Sequence, residues 1–452
     1  MADTTFRNIA VVDVERGALL ENRDVAIEND SIVSIEAAIQ GQPVAPGDFD
    51  GKNRFLIPGL FDCHIHLAFN GFLNIQSDYR NNLKQFLLNG ITQVVDFFTV
   101  GGRFPGSSPE TIRDDINSGR ILGPRFLTAY GCLNAPGGFC SCAVGSDVAG
   151  EVVTLDDVRR ELDRIDAVKP DFIKIVYDDV FGTLPNLTPE LLRSLIGEVH
   201  ARGYRAGVHI ATLSDAQHAV DCGADIIGHA VIESLPASLM DKMAANNVIM
   251  IPTLASYESR SLPRSRLPFP AHAPAQSLLE YGRHERTFYE KADQISLYRD
   301  GFLKASANML PMHEAGVHLA AGSDSGTWYT FPGEGLHREL EIYVESGISH
   351  ASALRMATID AARAFRLNDR YGTVSAGKTA NLAVLGSNPL MDINATRNIE
   401  AVMLNGRLLD IDRLRTDISR SSETPPMRIE EEICSPHHLR LEQLKLRNRL
   451  QV

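Results

Sequence analysis

Gly59-Leu-Phe-Asp-Cys-His-Ile-His-Leu67 (GLFDCHIHL) reads as a strand that is apolar along most of its length and carries histidines at its end. It is the first of eight short apolar runs; the others are TQVVDFF (92–98), RFLTAYG (125–131), DFIKIVY (171–177), RAGVHI (205–210), ADIIGHA (224–230), VIMIPT (248–253) and GVHLAAGSD (316–324). Runs of this kind fit strands covered on both faces. Helical segments lie between several of them, at 155–168, 189–202 and 214–222, and another at 353–365 follows the last. Regular alternation predicts an α/β chain, and eight such strands predict a (β/α)8 TIM barrel. A doubly wound sheet would alternate similarly, but no GxGxxG or P-loop follows any of these strands.

Outward from the barrel the pattern changes. NIAVVD (8–13), DVAIEND (24–30) and SIVSIEA (31–37) are short β segments separated by polar breaks, and YGTVSAGKTANLAVL (371–385) and RNIEAVMLNGRLL (397–409) return to that character. Asn405-Gly406 is a two-residue hairpin signal. Residues 1–56 and 368–415 are therefore expected to pair into one small β domain around a barrel at 57–367, leaving 416–452 as a C-terminal extension. The leucines at 439, 441, 444, 446 and 450 share no helical face, so that extension is open to reading as a docking arm or a loose tail.

Composition narrows the function classes. The 452 residues carry 44 basic and 57 acidic side chains, a net charge of -13, which argues against nucleic acid as the main partner. No apolar stretch approaches the ~20 residues that span a bilayer, so no membrane partner is expected. The first residues lack the charged start and apolar core of a secretory signal. Six scattered cysteines without a CxxC pair fit a reducing compartment. A cytoplasmic protein is expected.

The chemistry sits at the strand ends. His64 and His66 are two apart, so on a strand both imidazoles point to one side, with Asp62 below them. At the C-terminal mouth of a barrel such a pair can chelate a metal. An isolated HxH is more often chance. Here Lys174 lies in the fourth strand, His209 ends the fifth, His229 the sixth and Asp324 the eighth. A buried lysine is costly and seldom left unpaired. Singly, each histidine could be satisfied by a carbonyl and Asp324 could cap a turn. Convergence of five strand ends on metal-ligand chemistry is much harder to attribute to chance.

These stretches, with HRELEIYVESGISHASALRMATIDAARAF (337–365) and GTVSAGKTANLAVL (372–385), resemble the amidohydrolase superfamily in its imidazolonepropionase-like branch of metal-dependent hydrolases. The resemblance runs to about residue 410 and implies a barrel inserted in a small β-sandwich, with one or two divalent ions, zinc by analogy, at its mouth. By position, His64, His66 and Asp324 would hold the more buried ion, and His209 and His229 the second. Lys174, carboxylated, would bridge them; a neutral Lys174 beside a single ion is the alternative. Two dications would repel an ammonium, whereas a carbamate offers an oxygen to each. The implied reaction is hydrolysis of an amide or related C–N bond by a metal-bridging hydroxide, with Asp324 as the catalytic proton carrier. N-acyl amino acids, dipeptides and aryl amides are the substrate classes suggested, and self-association into a homo-oligomer is expected. Cyclic-amide hydrolysis or heterocycle deamination is the alternative within enzymes; a catalytically silent scaffold is the alternative outside them.

Two departures bear on this. Superfamily deaminases usually carry a glutamate three residues after the fifth-strand histidine, where this chain has Thr212, and imidazolonepropionases lack a lysine equivalent to Lys174. Asn381 replaces the aspartate usual in GKxADL and is expected to matter only to the β domain. Tyr177, Tyr257, Trp328, Tyr329 and His337 lie just beyond strand ends and are candidate substrate contacts, and the loops 131–150 and 253–289 are candidate lids.

Overall fold

The computed structural model describes residues 3–39, 41–67, 75–76, 79–98, 109–144, 149–180, 182–262, 292–327, 330–421 and 427–428. Strands β1 (Thr4–Asp13), β2 (Ala18–Glu28), β3 (Ser31–Ala37), β4 (Phe49–Asp50) and β5 (Phe55–Pro58) begin the chain. Next come β6 (Leu60–Ile65), β7 (Ile75–Gln76), β8 (Ile91–Asp96), β9 (Arg125–Thr128), β10 (Cys132–Asn134), β11 (Gly150–Glu151) and β12 (Ile173–Val176). β13 (Ala206–His209), β14 (Ile226–Gly228), β15 (Ile249–Ile251) and β16 (His318–Leu319) follow. β17 (Leu382–Leu385), β18 (Ile399–Leu404), β19 (Arg407–Leu408) and β20 (Met427–Arg428) complete the order.

The parallel ladders run β6-β8-β9 and β11-β10-β12-β13-β14-β15-β16. Two seams connect them. Asp171 N donates to Thr128 O (3.0 Å), bringing the start of β12 to the end of β9. On the other side β6 bonds the stretch after β16: Cys63 N to Ala321 O (2.9 Å), Asp324 N to His64 O (2.8 Å) and His66 N to Ser325 O (2.8 Å). The parallel strands thus follow one another around a ring of TIM-barrel type, with β10 and β11 added in a connection.

Local chemistry explains the helices between strands. Thr154 caps the helix Leu155–Asp166 in a reciprocal capping box with Asp157, and Thr188 followed by Pro189 opens Pro189–Ala201. Thr212 caps Leu213–Cys222 in the same way with Asp215, and Gly223 (φ 93°) ends it in the left-handed conformation that glycine adopts without a Cβ clash. The single helix expected over 353–365 is instead two, His350–Met356 and Ile359–Ala364. The break releases carbonyls to the barrel: Met356 O accepts from Ala321 N (3.0 Å) and Ala357 O from Phe61 N (2.8 Å). A continuous helix would have used both internally.

Both chain ends enter one sheet, ordered β19-β18-β17-β5-β1-β2-β3 with β4 beside β1. β17 lies antiparallel to β5, and Pro58-Gly59 leads directly from β5 into β6, so this sheet is coupled to the first histidine strand. The β18–β19 hairpin turns at Asn405 (φ 48°) and Gly406 (φ 76°), as the sequence signal required. Asn381 Oδ1 accepts from Asn405 N (2.7 Å), which ties β17 to that turn.

The structure joins Cys132 of β10 to Cys140 of the helix Phe139–Val144 as a disulfide, against the reduced state that cysteine usage led us to expect. A helix at Ile411–Ser421 follows the sheet, and β20 pairs antiparallel with β7. The leucines at 439–450 lie outside the described residues. Among the described residues, no helix is long and apolar enough to cross a membrane.

Close packing at the barrel seam gives a direct test. A Cβ on Gly322 would sit 2.5 Å from Ile251 Cγ2 and 2.8 Å from His64 N, whereas nothing lies within 4 Å of the Cβ position at Gly197 in the helix Pro189–Ala201. Gly322→Ala is expected to lower unfolding free energy by about 1–3 kcal/mol. Gly197→Ala should raise it by up to about 1 kcal/mol, because alanine is the better helix former. Urea denaturation of the two variants measures the contrast, and equal midpoints would contradict it.

Candidate active site

His64 and His66 leave the end of β6, Asp324 follows β16, His209 ends β13 and His229 follows β14. His229, Thr253 and Asp324 all hold positive φ (76°, 54° and 59°), a costly conformation for non-glycine residues that recurs where a site fixes its side chains.

His64, His66 and Asp324 form a compact buried group whose ligand atoms lie within 4.8 Å of one another. His66 Nε2 is 3.2 Å and His64 Nε2 3.8 Å from Asp324 Oδ1. The His64 ring lies 4.5 Å, centre to centre, from that of His229, which lies 4.4 Å from that of His209. Phe97, just past β8, supports the group from inside the barrel: its ring stacks on His64 at 3.7 Å, and Lys174 Nζ sits 4.5 Å from its centre. Lys174 is buried, and among the described residues no carboxylate comes within ion-pair distance of its amine. Burial lowers its pKa to about 7, with Asp324 opposing that shift.

Most of the site's polar atoms already have a partner outside it. His66 Nδ1 meets Phe98 O (3.1 Å), His229 Nδ1 meets Thr253 Oγ1 (2.8 Å) and His209 Nε2 meets Asp178 Oδ2 (3.1 Å). His209 and His229 each therefore have one ring nitrogen engaged outward, and His66 has both in contact, Nδ1 with Phe98 O and Nε2 with Asp324 Oδ1. Asp324 Oδ2 accepts from Ser256 Oγ (2.8 Å) and Thr327 Oγ1 (2.7 Å), while Arg260 Nη2 lies 3.8 Å away. Asp324 Oδ1 faces the His66 and His64 rings, and both nitrogens of His64 are buried without a hydrogen-bond partner. Such orphans are rare in a protein interior and mark a place for a further ligand. Burial acts to raise the Asp324 carboxyl, but the His66 hydrogen bond and the charges of His229, His66 and Arg260 hold it below the usual carboxylate range. Burial drives His64 and His229 well below the ordinary imidazole value, so both are neutral, the form that binds metal. Asp62, pushed up to about 7 by burial, accepts from Ser323 N (2.9 Å) and Ser323 Oγ (2.5 Å) beneath the pair.

The rim is built by the helix Leu254–Ser261. Its capping residue Thr253 makes no side-chain cap, since its hydroxyl is turned to His229. Glu339, from the helix Glu334–Glu345, supplies the cap instead, its carboxylate accepting from Leu254 N (2.9 Å) and Ala255 N (2.6 Å). Burial raises Glu339 to about 8. The sequence carries no signal for Glu339, Ser256, Thr253, Phe97 or Asp178, because none lies in a ligand-like spacing.

Three of the five expected pocket residues lie among the described residues. Tyr177 follows β12, with its hydroxyl 3.1 Å from His218 Nδ1, and Tyr257 donates to Ala230 O (3.2 Å) beside the Arg260 guanidinium. Trp328 and Tyr329 lie outside the described residues, as do residues 263–289 of one expected lid and 145–148 of the other. His337 is buried with Nδ1 3.0 Å from Thr396 Oγ1, while its Nε2, near the Asn89 backbone, has no hydrogen-bond partner. Asn89 precedes Gly90, whose carbonyl accepts from Leu60 N at the start of β6, the strand end opposite His64. Thr212, in the deaminase-glutamate position, is committed to its helix cap.

The sequence profile of the amidohydrolase family matches residues 55–409. The chain belongs to the amidohydrolase family. The motifs from PGLFDCHIHL to GTVSAGKTANLAVL lie within that match, as the resemblance implied. An uncharacterized protein of Mycobacterium bovis is 24% identical over 415 residues, covering 87% of this chain and 96% of its own. Among solved amidohydrolase-fold structures, a Xaa-Pro dipeptidase with bound methionine in its active site superposes at a TM-score of 0.72 and 20% identity, over 90% of this chain and 99% of the other. Phenylurea hydrolase B superposes at 0.71 and 19% identity, over 91% and 98%.

The neutral, buried His337 gives a pH test away from the ligand group. Burial lowers its pKa to about 4, against roughly 6.5 in an unfolded chain. A base depressed in the fold adds stability above about pH 6.5 that is lost as pH falls toward 4. The Tm gap between wild type and His337→Gln should therefore narrow between pH 7.5 and pH 5. A gap that widens or stays constant would show that His337 is not held neutral.

Proposed function

We propose that this amidohydrolase is a zinc-dependent enzyme that hydrolyses an amide or related C–N bond in a small molecule. The observation carrying the reading is His64, both of whose nitrogens are buried without a hydrogen-bond partner, facing Asp324 Oδ1 beside His66. Those atoms fit a divalent ion: imidazole nitrogens and one carboxylate oxygen form a known ligand set. His64, His66 and Asp324 would hold one ion, His209 and His229 a second, and Lys174, carboxylated, would be shared between them. A lysine so buried and without a carboxylate partner favours the uncharged amine, the form that adds carbon dioxide. The same reading takes the sheet made by both chain ends as the β-sandwich expected beside the barrel.

Bound divalent ions would acidify water and polarise a substrate carbonyl. The chain's own part is proton handling and exclusion of water. Ser256 and Thr327 hold Asp324 Oδ2, so Oδ1 is fixed toward His66 and the place where water would be activated. Asp324 can accept a proton there and deliver it to the departing nitrogen, which leaves as a neutral amine. Phe97 and the buried wall behind His64 keep bulk water from the inner side. The dipeptidase and phenylurea hydrolase relatives in fold act, by their names, on C–N bonds, and dipeptides, N-acyl amino acids and aryl amides are the classes to try first. The deaminase alternative loses its main group, because Thr212 caps a helix.

Purified chain supplied with zinc and dialysed should retain about two equivalents by elemental analysis, as expected for a two-metal site. A panel of dipeptides, N-acyl amino acids, aryl amides and cyclic amides should then yield a substrate. Asp324→Asn is expected to cut kcat by about 10²–10⁴-fold while KM changes little. Zinc-free wild-type protein, or full turnover in Asp324→Asn, would overturn the proposal.

A further inference from the structure

One carboxylate at the mouth lies outside the ligand set carried over by family position. Asp178 stands two residues beyond the end of β12, on the turn that leaves the barrel, and is buried. Its two oxygens bond in different directions. Oδ1 accepts from Val180 N at 2.7 Å, closing a tight local turn, and Oδ2 lies 3.1 Å from His209 Nε2. Val180 itself sits at φ 47°, a conformation that a β-branched residue adopts only under constraint. Tyr177 N donates to His209 O (3.0 Å), so the ladder between β12 and β13 continues to the residue before Asp178 and fixes the height of the two side chains. Phe139 packs 5.2 Å from the His209 ring on another side.

Imidazole can present either nitrogen to a metal, and the hydrogen bond made by the other decides which. A carboxylate oxygen accepts, so Nε2 carries the hydrogen toward Asp178 and the lone pair is left on Nδ1. The three partnered histidines differ in what holds them: His66 faces a carbonyl, His229 a hydroxyl, and His209 a carboxylate. Of these acceptors only the carboxylate brings a negative charge, which makes the ring a stronger electron donor through its other nitrogen.

We propose that Asp178 is the positioning residue of the second half of the metal site, orienting His209 so that Nδ1 is its ligand atom and raising the affinity of the ion held by His209 and His229. This rests on the two-metal reading above. Asp178 touches no reacting atom in this scheme; it acts through His209. Because its other oxygen is tied to Val180 N, the carboxylate cannot swing away to bind an ion directly without breaking the turn.

Zinc affinity of the full-length chain, measured by competition with a chromophoric chelator, tests this without any substrate. Wild type should bind two equivalents. Asp178→Ala should keep one at wild-type affinity and weaken the other about 10–100-fold, the range typical when a hydrogen-bond partner of a metal-bound histidine is lost. Asp178→Asn keeps a carbonyl oxygen and should fall between the two, a graded recovery that general damage to the fold would not produce. Cobalt-loaded protein gives a second readout, since visible absorption of one site should change while that of the other persists. Two equivalents bound within about twofold of wild-type affinity in Asp178→Ala would overturn this assignment and leave the two-metal reading standing. Loss of both ions from folded Asp178→Asn would overturn it as well. No zinc on the wild type would remove the parent reading and this one together.

Discussion

Everything at the mouth depends on the backbone seam between β6 and residues 321–325. Three hydrogen bonds there, from Cys63, His66 and Asp324, bring residues some 260 positions apart into one strand pair. The seam closes the ring and, by the same bonds, sets His64 and His66 opposite Asp324. Asp62 adds a buried carboxylate clasp to Ser323 beneath it. Gly322 is required because the strand must approach His64 more closely than a side chain would allow. Closing the fold and assembling the ligand group are thus a single event, which explains why the group is both deeply buried and held in one orientation.

Burial then sets the electrostatics. Neutral imidazoles, a low-pKa Asp324 and a lysine without a carboxylate partner are costly one at a time in an interior. Together they make a preformed set of electron donors with few competing partners. Hydrogen bonds from outside the group occupy one nitrogen each of His66, His209 and His229, so these three rings are each presented in one direction.

Much of this was legible in the sequence and some was not, for definite reasons. The barrel strands could be read because their short apolar runs end in polar residues that have no reason to recur at strand ends by chance. His64, His66 and Asp324 were readable from that placement, and the structure brings them within 4.8 Å. The helix break at Ala357 was invisible, since MATIDAARAF favours a continuous helix and only the barrel's need for two carbonyls interrupts it. The pairing of Cys132 with Cys140 was hidden in the same way, because bulk cysteine usage says nothing about which strand and helix meet. His337 heads a motif that reads as site-facing; its Nδ1 meets Thr396 Oγ1, and its Nε2 is buried without a hydrogen-bond partner. Asp178, Ser256 and Glu339 had no spacing signal, because each acts on a partner brought to it by tertiary structure alone.

The cap on the rim helix shows how far that dependence reaches. Thr253 gives its hydroxyl to His229, and the helix it should have capped is held instead by Glu339, more than eighty positions along the chain. The segment bearing Ser256, Tyr257 and Arg260 therefore has no self-sufficient start. It cannot be exchanged between relatives as an independent loop cassette: a graft of the rim would have to bring its supporting helix with it, or arrive with a frayed first turn. The rim thus depends on contact between two segments far apart in the chain.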